Sequence, residues 1–126
     1  MLADDDDGFR ALHAPRLRAA GYEVCEAADG QRTLALIRER RPALVLLDVW
    51  MPGLSGLQVL QRLRDEPAPI DLRVVMLSHC AEADARLEAL ALGAVDYWVK
   101  DRAGVDDLAG LVASALAADA FAADPD

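Results

Sequence analysis

Pro42-Ala43-Leu44-Val45-Leu46-Leu47-Asp48-Val49-Trp50-Met51-Pro52-Gly53 is an apolar run opened by a proline and closed by a carboxylate and a Pro-Gly signal. An uninterrupted run of this length, without polar alternation, predicts a strand covered on both faces, Ala43 to Asp48. Asp48 then stands at the carboxyl edge of a sheet. In open α/β sheets that edge is where ligands bind, so an acid delivered there is a candidate reactive group.

Outward from this strand, apolar runs alternate with helical periodicities. Leu2-Ala3 ends a first strand, and a helix follows from about Phe9 to Ala20. Tyr22 to Ala27 reads as a second strand, and Asp29-Gly30 opens a helix to about Arg40. Beyond the central strand, Leu57, Leu60 and Leu63 mark a helix over Gly56 to Arg64. Glu66 to Asp71, with Pro67 and Pro69, reads as loop, and Val74 to Leu77 as a fourth strand. Glu82 to Leu92 predicts a helix, Val95 to Val99 a fifth strand, and Val105 to about Ala118 a closing helix. Repeated β–α units with right-handed crossovers predict a single doubly wound α/β domain, a five-stranded parallel sheet with helices on both faces. The domain is expected over residues 1–120, with 121–126 a frayed tail.

In a parallel sheet, residues just beyond the strand ends converge. Strand one delivers Asp4 and Asp5, strand three Asp48, strand four Ser78 and strand five Lys100. Clustered carboxylates repel one another unless protons shift or a cation sits among them. Oxygen ligands without His or Cys suit Mg²⁺, with Mn²⁺ as the alternative. A carboxylate is also a nucleophile towards phosphorus. An acid beside a metal, with an ammonium and a hydroxyl to hold phosphoryl oxygens, predicts phosphoryl transfer. Lys100 is the only lysine among 13 basic residues, so a compact ammonium stands where the composition otherwise supplies guanidinium.

Bulk properties narrow the classes further. At 126 residues the chain is one domain by size. A net charge of −9 argues against direct nucleic-acid binding by this domain. No apolar stretch approaches the ~20 residues needed to cross a bilayer, and Met1 leads into acids rather than a basic, apolar leader, so a cytoplasmic location is expected. Cys25 and Cys80 lack CxxC spacing and read as reduced thiols. His13 and His79 have no metal-ligand spacing with them, though His79 adjoins the cleft. Arg38, Arg40 and Arg41 read as a solvated helix end complementing the helix dipole.

The chain resembles the receiver domains of two-component response regulators over essentially its full length. The resemblance is carried by Asp4-Asp5 six residues before Arg10, by Leu46-Leu47-Asp48-Val49-Trp50-Met51-Pro52-Gly53 with Gly56, by Ser78, and by Gly93-Ala94 leading to Tyr97-Trp98-Val99-Lys100. It implies the flavodoxin-like strand order 2-1-3-4-5. It implies phosphorylation of Asp48 by a sensor histidine kinase or phosphotransfer protein, and Mg²⁺ bound by Asp4, Asp5, Asp48 and the Trp50 backbone carbonyl. It also implies that Ser78 and Tyr97 switch position, reshaping the helix 4–strand 5–helix 5 face to control an unknown output partner; by resemblance a homodimer through this face is an option. Such a domain is no general enzyme: it catalyses only its own phosphorylation and dephosphorylation.

Several residues depart from the pattern. Strand one keeps only Met1-Leu2-Ala3 before the acids, and the Asp4–Asp7 run leaves Asp6 as a substitute ligand. Pro15 falls inside helix one, where a proline costs ~3 kcal/mol or more. Asp101 stands where many receivers have proline, so a cis peptide there is unfavourable by ~2.5–4 kcal/mol. Trp50 either shields the site or covers apolar surface. Two rivals follow. Haloacid-dehalogenase-like phosphatases place a second Asp two residues after the nucleophile, where this chain has Trp50. A pseudo-receiver, an interaction module that takes no phosphate, is disfavoured by Asp48, Ser78 and Lys100.

Overall fold

The structure is a computed structural model that describes residues 1–66, 72–79, 83–100 and 107–122. Asp101, Cys80, Val105, the loop 67–71 and the tail 123–126 lie outside the described residues. Elements alternate as β1 (Leu2–Ala3), α1 (Asp7–Ala19), β2 (Glu26–Ala27), α2 (Gly30–Arg40), β3 (Leu44–Asp48), α3 (Gly56–Arg64), β4 (Arg73–Ser78), α4 (Ala83–Ala91), β5 (Asp96–Val99) and α5 (Leu108–Ala122). The strands form one parallel sheet in the order β2-β1-β3-β4-β5. This is the doubly wound, flavodoxin-like arrangement that the sequence and the resemblance led us to expect.

Alternation along β3 divides the core. Val45 and Leu47 face one layer with Leu36 and Ile37 of α2, Val59 and Leu60 of α3, and Ala85 and Ala89 of α4. Leu44 and Leu46 face the other, with Ala14 and Leu17 of α1 and Leu108 and Val112 of α5. All five residues of β3 are buried, as its unbroken apolar run requires.

Helix starts follow the local capping chemistry. Asp6 and Asp29 accept from the backbone N–H of Phe9 and Arg32 at 3.1 and 2.7 Å, and Ser55 and Gln58 form a reciprocal capping box. The cap at Asp6 starts α1 earlier than Phe9. Pro15 stays inside α1 on its exposed side, so the acceptor it leaves unsatisfied, the Ala11 carbonyl, lies on an exposed turn.

The largest difference from the sequence reading is β2. A six-residue strand from Tyr22 contracts to Glu26–Ala27, because its one neighbour, β1, contains two residues. A segment with no adjacent chain to exchange N–H···O bonds with has no ladder to join. Tyr22 and Val24 instead pack against the α1/α5 core. At the other end, α5 runs to Ala122, past Ala118 and into the expected tail, in keeping with the helix propensity of its alanines.

Candidate functional site

The parallel sheet brings Asp4, Asp5, Asp48, Ser78 and Lys100 to its carboxyl edge. Asp4 follows β1, whose end is fixed by the Asp4 N–H donating to Ala27 O at 2.9 Å. Asp48 closes β3, Ser78 closes β4, and Lys100 follows β5, with its N–H donating to Ser78 O at 2.7 Å. Asp4, Asp48, Ser78 and Lys100 are buried, and Asp5 is exposed. One carboxylate oxygen from each of Asp4, Asp5 and Asp48 lies within 4.8 Å of the others.

Lys100 is the cation inside this cluster. Its Nζ lies 2.6 Å from Asp4 Oδ2 and 3.5 Å from Asp48 Oδ2, with the lysine side chain 2% exposed. The shorter contact is to Asp4, so the ammonium is shared unequally. One ammonium does not neutralise three carboxylates. Burial, first, and the Asp4 charge, second, push the Asp48 carboxyl up to about 8, against the opposing pull of Lys100; a hydrogen bond with Asp5 raises it further, while the Trp50 N–H favours the ionised form. Burial and the Asp4 charge thus favour the protonated form of Asp48 to well above the ordinary carboxylate range.

The donor set matches a hard divalent cation. Three carboxylates, one of them exposed towards solvent, supply oxygen alone and have more negative charge than the local ammonium balances. These residues fit Mg²⁺, and the acidic group is where such an ion could be held.

Other sequence expectations separate here. Asp6, the substitute ligand, is occupied as the α1 cap; the Phe9 N–H holds its carboxyl below the ordinary value, with Lys100 and His79 contributing less. Trp50 is 60% exposed. Tyr97 is 8% exposed, in the cluster that contains Ala85 and Ala89 of α4. His79 is exposed beside Ser78, and His13 is buried in α1. Arg38 is not merely solvated: it pairs with Glu66, Nε to Oε1 at 2.8 Å.

Three further residues shape the site without being among its acids, its hydroxyl or its ammonium. A Cβ at Gly56 would stand 2.1 Å from Asp48 O, so only glycine lets α3 start against the end of β3. Arg10 donates from Nε to Asp4 O at 2.8 Å, tying α1 to the end of β1. Phe9 places its ring centroid 4.9 Å from Lys100 Nζ. The signal for Gly56 and Arg10 was their fixed spacing from Asp48 and Asp4; an apolar Phe9 carried none.

Comparison with known proteins agrees with this geometry. The family model described as the response regulator receiver domain matches residues 1–112. The phosphate regulon transcriptional regulatory protein PhoB of Pseudomonas aeruginosa is 37% identical over 100 residues, covering 79% of this chain and 44% of that protein. A probable transcriptional regulator, ycf27, of Cyanophora paradoxa is 41% identical over 100 residues, covering 79% of this chain and 41% of its own length. The chain therefore spans less than half the length of these curated relatives. Among solved structures, a putative response regulator from Chloroflexus aurantiacus superposes with TM-score 0.80 at 33% identity, covering 92% of this chain and 94% of that one. The response regulator TrrA of Thermotoga maritima, in complex with Mg(2+)-BeF, superposes with TM-score 0.75 at 29% identity over 90% of this chain and 95% of its own.

Proposed function

The chain belongs to the response regulator receiver domain family, and we propose that Asp48 is its phosphoacceptor, charged from a phosphohistidine on a sensor kinase or phosphotransfer protein. The observation that carries this reading is the ammonium of Lys100, sealed from solvent between Asp4 and Asp48 at the carboxyl edge of the sheet. In the transfer, an Asp48 oxygen forms the new bond to phosphorus, the phosphorus–nitrogen bond of the donor breaks, and the imidazole keeps the electron pair and takes a proton. Asp48 must be ionised to attack, and a cation beside it favours that form. Mg²⁺ held by Asp4, Asp5, Asp48 and the Trp50 carbonyl would neutralise charge on phosphoryl oxygens. Lys100 pairs with another phosphoryl oxygen and the Ser78 hydroxyl donates to it. Beyond its own phosphorylation and dephosphorylation the domain turns over no substrate.

A phosphoryl group adds about −1.5 to −2 charge and three acceptor oxygens, enough to draw Ser78 inwards. Ser78 ends β4 and pairs in register with Val99, two residues after Tyr97, so a shift at Ser78 is transmitted along β5 to the α4–β5–α5 face. Leu87, Leu90 and Val95 are exposed on α4 and its connection to β5. This is the face we assign to the output partner or to a second receiver. We place the protein in the cytoplasm, with any DNA-directed output supplied by another domain or protein.

The test is incubation with Mg²⁺ and acetyl phosphate or beryllofluoride, followed by intact mass and Trp fluorescence. A single labile phosphate on the wild type and none on Asp48→Ala is expected. An adduct that persists in Asp48→Ala, or no Mg²⁺-dependent change in either protein, overturns the assignment.

A further inference from the structure

Besides its two carboxylates, Lys100 has an aromatic neighbour. Its Nζ makes ion pairs with Asp4 and Asp48, without hydrogen-bond alignment, and lies 4.9 Å from the centroid of the Phe9 ring. At this range the negative face of the ring attracts a cation, and the attraction is stronger where water is excluded. Phe9 is itself held from two directions. Its backbone N–H donates to the α1 cap, Asp6, at 3.1 Å. One turn on, the His13 ring packs against it with centroids 4.3 Å apart at 47°.

We propose that Phe9 is a positioning residue for the phosphoacceptor site, its ring face fixing the Lys100 ammonium between Asp4 and Asp48, with His13 setting the tilt of that ring. The inference rests on the phosphoacceptor reading of Asp48 given above. A lysine on a flexible stem loses rotamer freedom whenever it is held in one place. Of the groups around Nζ, the two carboxylates gain a competing partner when a cation arrives, and Asp48 is itself altered when it takes a phosphoryl group. The ring is changed by neither. It supplies a fixed attraction that keeps the ammonium within reach of Asp48 while its anionic partners change. An aliphatic residue of similar size would fill the same space without that attraction.

The chain's single lysine makes the contact directly observable. In protein labelled only at lysine, the Lys100 ε-methylene resonance of the wild type is expected upfield of an unstructured lysine, through the ring current of Phe9. Phe9→Leu returns it towards the unstructured position, and Phe9→Tyr restores the upfield shift. With Mg²⁺ saturating, Phe9→Leu weakens beryllofluoride binding about three- to thirtyfold, the range of one cation–π contact from exposed to desolvated. Phe9→Tyr recovers the affinity, and Mg²⁺ affinity measured alone stays within about twofold. A merely structural role for Phe9 would lower Mg²⁺ and beryllofluoride binding together.

A wild-type lysine resonance that is not displaced, or one that is unchanged in Phe9→Leu, overturns the contact. A displaced resonance with equal beryllofluoride affinity in wild type and Phe9→Leu overturns the positioning role. A wild type that binds neither Mg²⁺ nor beryllofluoride overturns the phosphoacceptor reading and the role of Phe9 with it, while the lysine resonance separately reports whether the contact exists.

Discussion

The charge state of one carboxyl governs much of the behaviour of the isolated domain. Asp48 ionises near 3.8 in an unfolded chain and only near about 8 in the metal-free fold. Its contribution to stability is fully present below the unfolded value and is lost as pH rises through the folded one. Metal-free protein is therefore expected to lose stability between about pH 4 and pH 8. Asp48→Asn removes this slope: the variant should match the wild type near pH 4 and melt several degrees above it at pH 8, readable in thermal melts at the two pH values. A variant that melts below the wild type at pH 8 would contradict the burial and repulsion assigned to Asp48. Gly56 is the other residue on which the site depends. Gly56→Ala drives a methyl into the Asp48 carbonyl and is expected to cost about 2–3 kcal/mol in urea unfolding, as overpacking does elsewhere.

Individual elements show how local rules and tertiary demands divide the work. The reciprocal Ser55–Gln58 box opens α3 immediately after the loop that bears Trp50. Ser55→Ala should therefore lower stability by about 1 kcal/mol in urea melts. Pro15 behaves differently. It costs α1 a backbone bond on the exposed side and makes no core contact that would compensate. Pro15→Ala is expected to stabilise the domain by ~1–3 kcal/mol, read as a higher urea midpoint with unchanged slope. A lower midpoint would mean that α1 needs the bend a proline imposes. Arg64 links elements that the sequence does not connect: its Nε donates to Leu92 O at 2.6 Å, fastening α3 to the turn that precedes β5.

Across the whole molecule, the sheet edge joins the ends of β1 and β3 into one acidic group that could hold a cation, so binding there would stabilise the entire fold. At a Mg²⁺ concentration 100-fold above its dissociation constant, linkage gives ~2.7 kcal/mol, and the gain in melting temperature should rise with pH as Asp48 ionises. Asp48→Ala should show a much smaller gain. Equal Mg²⁺ stabilisation of both proteins in a calorimetric titration would place the cation elsewhere.

What the sequence determined by itself is what depends on neighbours along the chain. The period and length of apolar runs specified β3, the placement of the helices and the parallel order of units, because each element must bury one stripe or two faces. Their places at the predicted strand ends also singled out the acids, Ser78 and Lys100, since strand ends converge in any parallel sheet. Tertiary structure decided what depends on partners distant in sequence. The length of β2 was limited by the two residues of β1. Asp6 became the cap of α1 once the start of that helix was fixed. Trp50 stayed largely exposed, and Phe9 reached Lys100, 91 residues away, only because α1 starts against the end of β1. No local periodicity encodes such contacts, because their energy comes from groups that only the folded sheet brings together.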